Sequence, residues 1–286
     1  MSILPRWLPL LAAMCLSSAA IIFGVPRLTF SQVEVTEKTF NKFVVPATAF
    51  NATLSDNDFL ATWDAVPDRF PGLMDETSGW KRCLPIDVAR CGIGEGPMQT
   101  LLAIAEGETP CNSAVLHMML TEVVHIANTL LGLPTVITYG TLLGAQRDQS
   151  IIPYTQDADA CIVANDYRQL AEALWYRGYV LFPRFNMASV CVGLHHPLAK
   201  KLFSPLGRVD GHYLGRSPYV DIYTWSYDQT GGPSSDVVFD GRIHMRHDDV
   251  FPLAYLNVFN TSFPAPRNAI AFLEKEYGSG WSIPDH

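Results

Sequence analysis

The sequence that decides the fold is Tyr139-Gly140-Thr141-Leu142-Leu143-Gly144, then Arg147-Asp148, Ile151-Ile152-Pro153 and Asp157-Ala158-Asp159. The β-branched run that leads into it predicts a short buried strand, and the residues after the first glycine predict a short helix. Glycine lets the backbone approach a phosphate closely, and a helix N-terminus offers free N–H groups and a positive dipole end. Gly140 and Thr141 are therefore predicted to bind a phosphate. An ordinary strand-to-helix turn is the alternative.

Acidic residues follow this turn at strand spacing. Asp157 and Asp159 lie two residues apart, so on a strand both side chains point to one face. Asp221 lies inside the apolar run Tyr219–Tyr223, where a carboxylate is costly unless it is paired or bound to a metal. Because Mg²⁺ prefers carboxylates together with phosphate oxygens and water, the three aspartates predict a site for Mg²⁺ or Mn²⁺. The alternatives are two solvated turn residues and, for Asp221, a salt bridge to a buried arginine.

The rest of the chain predicts helices and strands that alternate unevenly, which is typical of an α/β fold with a mixed sheet and flanking helices. A helix is expected from Asn112 to about Leu131, and a final helix from Pro266 to Tyr277. Further strands are expected at residues 160–163, 179–182, 189–194, 219–224 and 237–239, with another helix ending at Tyr176.

Composition narrows the class of protein. The 286 residues are 48% hydrophobic, with a formal net charge of −8. So apolar a chain supports a sizeable core, and so acidic a chain argues against a nucleic-acid partner. A phosphate-handling protein needs only local positive charge. The candidates for this charge are Arg147, Arg184, Lys200, Lys201, Arg208, Arg216, Arg242 and Arg246.

The N-terminus predicts entry into the secretory route. The segment from Trp7 to Val25 carries no charge and is flanked by Arg6 and Arg27. As a helix, this segment is just long enough to span a bilayer. Residues 1–27 are predicted to be a signal-anchor, giving a single-pass type II membrane protein of the ER or Golgi with a lumenal catalytic domain. A signal peptide cleaved near Ser17–Ala20, which would release a secreted protein, and a buried soluble helix are the alternatives.

The region between anchor and catalytic domain is punctuated by Pro, Gly and Asp, so residues 28–110 are predicted to be a stem with an irregular subdomain and residues 111–286 the main domain. Sequons at Asn51 and Asn260 agree with the secretory route. Cys83, Cys91 and Cys111 cluster before the main domain, and a Cys83–Cys91 disulfide, which closes the shortest loop, is expected there. Cys161 and Cys191 are expected to be core thiols.

The order of these motifs resembles that of the nucleotidyltransferase superfamily. The residues within them resemble those of the LicD family, which includes the fukutin and fukutin-related proteins. The resemblance rests on the stretch from Tyr139 to Asp159 and on the tail, where Phe251-Pro252-Leu253 and Pro266 precede Tyr277-Gly278, Trp281 and Pro284. It covers residues 112 to 286.

This resemblance implies transfer of a phospho-substituent, of the phosphocholine or phospho-alditol type, from a CDP-activated donor to a glycan hydroxyl. Asp157, Asp159 and Asp221 would then hold Mg²⁺ or Mn²⁺ at the donor diphosphate. Arg147 would help to bind the donor and neutralise charge that develops during transfer. Asp221 would accept the acceptor proton.

The chain departs from the family pattern just before the acidic pair. Family members often carry a longer acidic run there, whereas this chain has Thr155 and Gln156. Two other functions therefore stay open. One is a glycosyltransferase that binds a nucleotide sugar through Asp-x-Asp, although the glycine turn upstream and Asp221 downstream argue against it. The other is a catalytically lapsed lumenal binding or scaffold module.

Overall fold

The computed structural model describes residues 69–163, 167–207, 217–228 and 236–284. The predicted anchor at residues 1–27, the sequon at Asn51 and residues 28–68 of the predicted stem lie outside these residues. Within them, no helix combines the length and the apolar character that a membrane crossing requires.

Helices and strands alternate along the described chain. The helices are α1 (Glu76–Trp80), α2 (Thr100–Ala103), α3 (Asn112–His125), α4 (Tyr139–Asp148), α5 (Arg168–Tyr176), α6 (Ala199–Leu202), α7 (His247–Val250) and α8 (Ala269–Tyr277). The strands are β1 (Thr135–Ile137), β2 (Asp157–Val163), β3 (Tyr179–Arg184), β4 (Met187–Val192), β5 (Tyr219–Tyr227), β6 (Val237–Phe239), β7 (Ile243–Met245), β8 (Ala254–Val258) and β9 (Thr261–Ala265). A π-helical turn, Ile126–Leu130, extends α3.

The main sheet is mixed, as the sequence predicted. Its strand order is β1-β2-β5-β4-β3, with β6 and β7 attached beyond β5. Only the central pair β2 and β5 is parallel; the other pairs are antiparallel. β8 and β9 form a separate hairpin, and the sequon residue Asn260 is exposed at its turn. The α/β fold with a mixed sheet is therefore confirmed.

Helix α3 is the central helix of the core, because nearly all of its residues are buried and it packs against β2, β4 and β5. A helix that is apolar on nearly every side is typical of a buried position. Residues 69–110 share this core: the Trp80 ring lies 4.9 Å from the Phe182 ring, centroid to centroid. The predicted boundary near residue 110 stays a prediction.

Two disulfide bonds correct the expected cysteine pairing. Cys83 pairs with Cys191 and Cys91 pairs with Cys111, so the Cys83–Cys91 bond and the free thiol at Cys191 were wrong. The shortest loop is not the one that closes, because Cys83 lies beside β4 in an isolated bridge to Gly193. Cys161 is a buried free thiol, as expected.

Several elements differ from the sequence-based prediction. Tyr139 begins α4 instead of ending β1, and α8 begins at Ala269 rather than Pro266. Strand β7 and the β8–β9 hairpin were missed. Their runs are only three to five residues long, and so short a run carries little periodicity.

Candidate active site

The predicted acidic residues meet on one face of the central strand pair. In the parallel register of β2 and β5, Asp159 lies opposite Asp221 and Asp157 lies opposite Tyr219. Residues paired in this way point to the same face of a sheet. The fold therefore places Asp159 and Asp221 side by side on the central strand pair, with Asp157 two residues before Asp159 on the same face.

Asp159 is bound by the start of helix α4. The Thr141 amide donates to Asp159 Oδ2 at 3.2 Å, the Asp159 amide donates to Thr141 Oγ1 at 2.6 Å, and the Gly140 amide also bonds the carboxylate. A Cβ on residue 140 would lie 3.3 Å from that same oxygen, so the glycine keeps the approach open. Gly140 and Thr141, predicted to bind phosphate, thus bind Asp159.

The protonation of Asp159 is governed by burial and by its neighbours. The residue is 6% exposed. Burial, then the negative charges of Asp157 and Asp221, raise the pKa of Asp159 well above its ordinary value, while the amides of Thr141 and Gly140 oppose this rise. Gathering three carboxylates is therefore unfavourable without a cation.

Asp157 is held by a residue at which the chain departs from the family pattern. The Thr155 hydroxyl donates to Asp157 Oδ1 at 2.7 Å and also to the Asp157 carbonyl oxygen at 3.1 Å. Thr155 does not add negative charge to the site, but it fixes one carboxylate oxygen of the acidic pair.

Asp221 has a hydroxyl and a guanidinium beside it. The Ser189 hydroxyl donates to Asp221 Oδ1 at 2.7 Å, and Arg184 Nη1 lies 4.0 Å from the same oxygen. Burial opposes the charge of Arg184, but Asp221 and a hydrogen bond with Tyr219 outweigh it and raise the pKa of the guanidinium. Arg184 Nε also pairs with Glu76 Oε1 at 3.2 Å, so the guanidinium lies between Glu76 and Asp221 and supplies positive charge next to the acidic residues.

Arg147 is paired with a neighbouring aspartate, although its predicted role is to bind the donor. Its Nε and Nη2 bond the Asp148 carboxylate, the closest contact being 2.8 Å. This is a bidentate pair. The contacts that the structure gives Arg147 are therefore structural, and its predicted role in donor binding stays a prediction.

A group of aromatic side chains adjoins the carboxylates on the side of α4 and α8. The Tyr139 ring lies 4.7 Å from the Tyr223 ring, and Arg242 Nη2 donates to the Tyr139 hydroxyl at 3.4 Å. Burial and then the charge of Asp159 raise the pKa of both Tyr223 and Tyr277. The tyrosine of the tail motif therefore lies within electrostatic reach of the acidic strand.

The donor set fits a hard divalent cation in its chemistry. Such cations take carboxylate oxygens, and the charges of Asp157 and Asp221 that raise the Asp159 pKa are those that a cation would compensate. Across the described residues, however, no three His, Cys, Asp or Glu side chains are arranged to hold a metal ion. Asp157, Asp159 and Asp221 each hydrogen-bond a different partner.

The sequence allowed a buried arginine as the alternative partner of Asp221, and the structure places Arg184 there; sequence reasoning did not identify which arginine it is, and it missed Ser189. Arg184 was one of eight candidate cations and Ser189 was only a strand residue. Both come from β3 and β4, whose antiparallel order beside β5 places Ser189 opposite Asp221. That pairing was the missing information, and only the strand order supplies it.

One family model matches the chain, and it overlaps this site. The model described as LicD/FKTN/FKRP, nucleotidyltransferase domain, matches residues 132–268, which include the glycine turn and all three aspartates. No curated protein matches the chain. The members of this family are typically transferases and generally depend on a divalent metal. Residues 132–268 therefore belong to the LicD/FKTN/FKRP family of nucleotidyltransferase domains.

Proposed function

We propose that this protein transfers a phospho-substituent, of the phosphocholine or phospho-alditol type, from a CDP-activated donor to a glycan hydroxyl. The observation that carries the proposal is the pairing of Asp159 with Asp221 in adjacent parallel strands, with Arg184 Nη1 4.0 Å from Asp221 Oδ1. Negative side chains for a cation thus lie next to positive charge for a phosphate, as phosphoryl transfer requires.

Asp157, Asp159 and Asp221 would hold Mg²⁺ or Mn²⁺. When bound, the cation polarises the phosphoryl oxygens and stabilises negative charge on the leaving group. Arg184 would orient the donor diphosphate, a role that the sequence first suggested for Arg147. The amides of Gly140 and Thr141 would position Asp159 rather than the donor, because they already bond its carboxylate.

Asp221 would accept the proton of the acceptor hydroxyl. The acceptor oxygen forms a bond to the phosphorus that bears the substituent, the bond from this phosphorus to the CMP oxygen breaks, and the hydroxyl proton goes to Asp221. The hydrogen bond from Ser189 fixes one Asp221 oxygen.

The proposed location is the lumen of the secretory route, with the chain anchored as a type II single-pass membrane protein or secreted after cleavage. Two disulfide bonds support this location, because disulfides form and persist in oxidising compartments. The exposed sequon at Asn260 is accessible for N-glycosylation, which supports the same proposal.

Isothermal titration of the full-length protein tests this function. Mn²⁺ is held constant while CDP, CMP and UDP are titrated into wild type, Asp159→Asn and the control Asp248→Asn, whose side chain is 89% exposed. We expect metal-dependent binding of CDP in wild type and the control, and its loss in Asp159→Asn. A preference for UDP would indicate a glycosyltransferase instead. Absence of metal-dependent nucleotide binding would leave a lumenal binding module.

A further inference from the structure

A small polar cavity lies directly before the acidic strand. Its volume is about 130 Å³. Its walls come from three segments that are distant in sequence, and the polar and aromatic lining residues are Asp87, Arg90, Asn112, Tyr154, Thr155 and Gln156. Complete ligand sites are usually larger, about 300–1,000 Å³, so this volume suits one small group of a larger ligand.

The mouth of the cavity carries an exposed aromatic ring. Tyr154 is 72% exposed, and the guanidinium carbon of Arg90 lies 5.2 Å from its ring centroid. A cation at this distance over a tyrosine face makes a cation–π interaction. The interaction holds the ring and the guanidinium together, so the mouth presents one flat apolar surface next to N–H donors.

The floor of the cavity has a polar atom without a partner. Asn112 is 5% exposed. Its Nδ2 donates to the Thr155 carbonyl oxygen at 2.7 Å, while its Oδ1 has no hydrogen-bond partner among the described residues. A buried acceptor in this state is unfavourable.

The cavity is built partly by residues that precede the match to the family model. Arg90 lies between Ala89, which bridges to Cys111, and Cys91, which forms a disulfide with Cys111. The amide of Asn112 donates to the Ala89 carbonyl oxygen at 2.9 Å. These bonds fix the backbone of Arg90 beside the start of α3, which brings its side chain within reach of Tyr154.

The chemistry of the walls selects a class of ligand. A hydroxyl group both donates and accepts, and the walls offer an acceptor on Asp87, donors on Arg90, and both on Gln156. A phosphate would be repelled by Asp87, and an apolar group would leave the amides and the carboxylate without partners. A neutral hydroxylated group satisfies the walls and leaves a ring face for Tyr154.

From this geometry we propose that the cavity binds a neutral hydroxylated group of the substrate, and we assign it to the acceptor sugar. The alditol of the donor has the same chemistry and is the other source. The inference rests on the proposed function, since it places the group next to the reacting centre. Thr155 links the two, because it lines the cavity and its hydroxyl bonds Asp157 Oδ1 at 2.7 Å.

The test uses full-length protein with Mn²⁺ and two kinds of probe. Saturation-transfer NMR with the methyl glycosides of galactose, glucose, mannose and N-acetylgalactosamine, in the presence of CDP, examines the acceptor source. Titration with CDP-ribitol against CDP examines the donor source. The variants are Arg90→Ala and Tyr154→Ala. The controls are Tyr154→Phe, which keeps the ring, and Tyr255→Ala, which removes a tyrosine that is 66% exposed on β8.

We expect at least one glycoside to bind wild type, and to bind both variants about tenfold more weakly, because Arg90→Ala loses a hydrogen bond to a charged group and Tyr154→Ala loses contact with an aromatic ring face. Tyr154→Phe and Tyr255→Ala should bind as wild type does. If instead CDP-ribitol binds more tightly than CDP and only the two alanine variants lose this advantage, the hydroxylated group comes from the donor.

One result would overturn the cavity proposal. In it, CDP with Mn²⁺ binds normally, but neither alanine variant binds a glycoside more weakly than wild type does, and neither loses a preference for CDP-ribitol over CDP. Failure of the proposed function gives another result. Wild type then shows no metal-dependent CDP binding, and the glycoside titrations alone decide whether the cavity binds a hydroxylated group.

Discussion

Replacing Thr141 by Val tests whether α4 holds the acidic strand through the paired hydrogen bonds seen in the structure. Valine has the shape of threonine but no hydroxyl, so the substitution removes the acceptor of the Asp159 amide, which is 2.6 Å away. Thr141 is 4% exposed and Asp159 is 6% exposed. The Asp159 amide would therefore be left buried without a partner.

The expected cost follows from that unsatisfied donor. A buried polar group without a partner costs about 1–3 kcal/mol of unfolding free energy. For a domain of this size, each kcal/mol corresponds to a shift in melting temperature of about 2–4 °C. Because Asp159 is a proposed metal ligand, we also expect metal-dependent CDP binding to weaken in Thr141→Val.

Urea unfolding followed by circular dichroism measures this cost, with Thr121→Val as the matched control. Thr121 is 3% exposed, and its hydroxyl donates to the His117 carbonyl oxygen at 2.7 Å. That carbonyl also accepts the helical amide bond from residue 121, so the control substitution leaves no donor unsatisfied. If Thr141→Val is no less stable than Thr121→Val, the reasoning about the Asp159 amide is wrong.

Three further changes probe the fold around the site. Gly144→Ala should lower stability by about 1–3 kcal/mol or more in urea unfolding, because its Cβ would overlap the Ser150 carbonyl oxygen. Burial lowers the pKa of His117 from 6.5 to about 4, so protonation favours the unfolded chain between these values. We expect stability to fall as pH drops from about 6.5 towards 4, by roughly 3 kcal/mol in total, with a shallower dependence in His117→Gln. Removing the Cys83–Cys191 bond, which spans 108 residues, in the double alanine variant should cost about 2–4 kcal/mol.

Each of these changes has a control or a contrary outcome. Gly140→Ala is the control for Gly144, because its Cβ would meet only Asp159 Oδ2, at 3.3 Å. Equal stability loss in both glycine variants would show that contact with the Ser150 backbone is not the cause. An unchanged pH dependence in His117→Gln, or a double cysteine variant as stable as wild type, would contradict the other two predictions.

The sequence was sufficient for the parts of the site that depend on local periodicity. Asp157 and Asp159 lie on a strand and share a face because side chains alternate along any strand. The place of Asp221 on another buried strand could be read from its apolar neighbours. The sequence could not predict that Asp159 and Asp221 are register partners. Strands β2 and β5 are 55 residues or more apart in the chain, and only the tertiary structure pairs them.

The sequence was insufficient where several elements compete for one group. Arg147 adjoins Asp148 in the sequence, and in the structure its guanidinium forms an ion pair with that carboxylate at 2.8 Å. The disulfide pairing failed for a related reason. Loop length favoured Cys83 with Cys91, but the chain between Trp80 and Leu84 bonds to the end of β4, where the Leu84 amide donates to Val192. Cys83 thereby reaches Cys191 instead.

The division of hydrogen-bond donors within the site limits which groups could bind the donor diphosphate of the proposed reaction. The α4 amides that the sequence assigned to phosphate already bond the Asp159 carboxylate, so a donor diphosphate needs other cations. Arg184 Nη1 lies 4.0 Å from Asp221 Oδ1, and Arg242 bonds Tyr139, whose ring centroid lies 4.7 Å from that of Tyr223. Both arginines therefore border the carboxylate face, from β3 and from the turn before β7. A diphosphate held between these cations and an ion on the acidic residues would lie across β5, beside the residue proposed to take the acceptor proton.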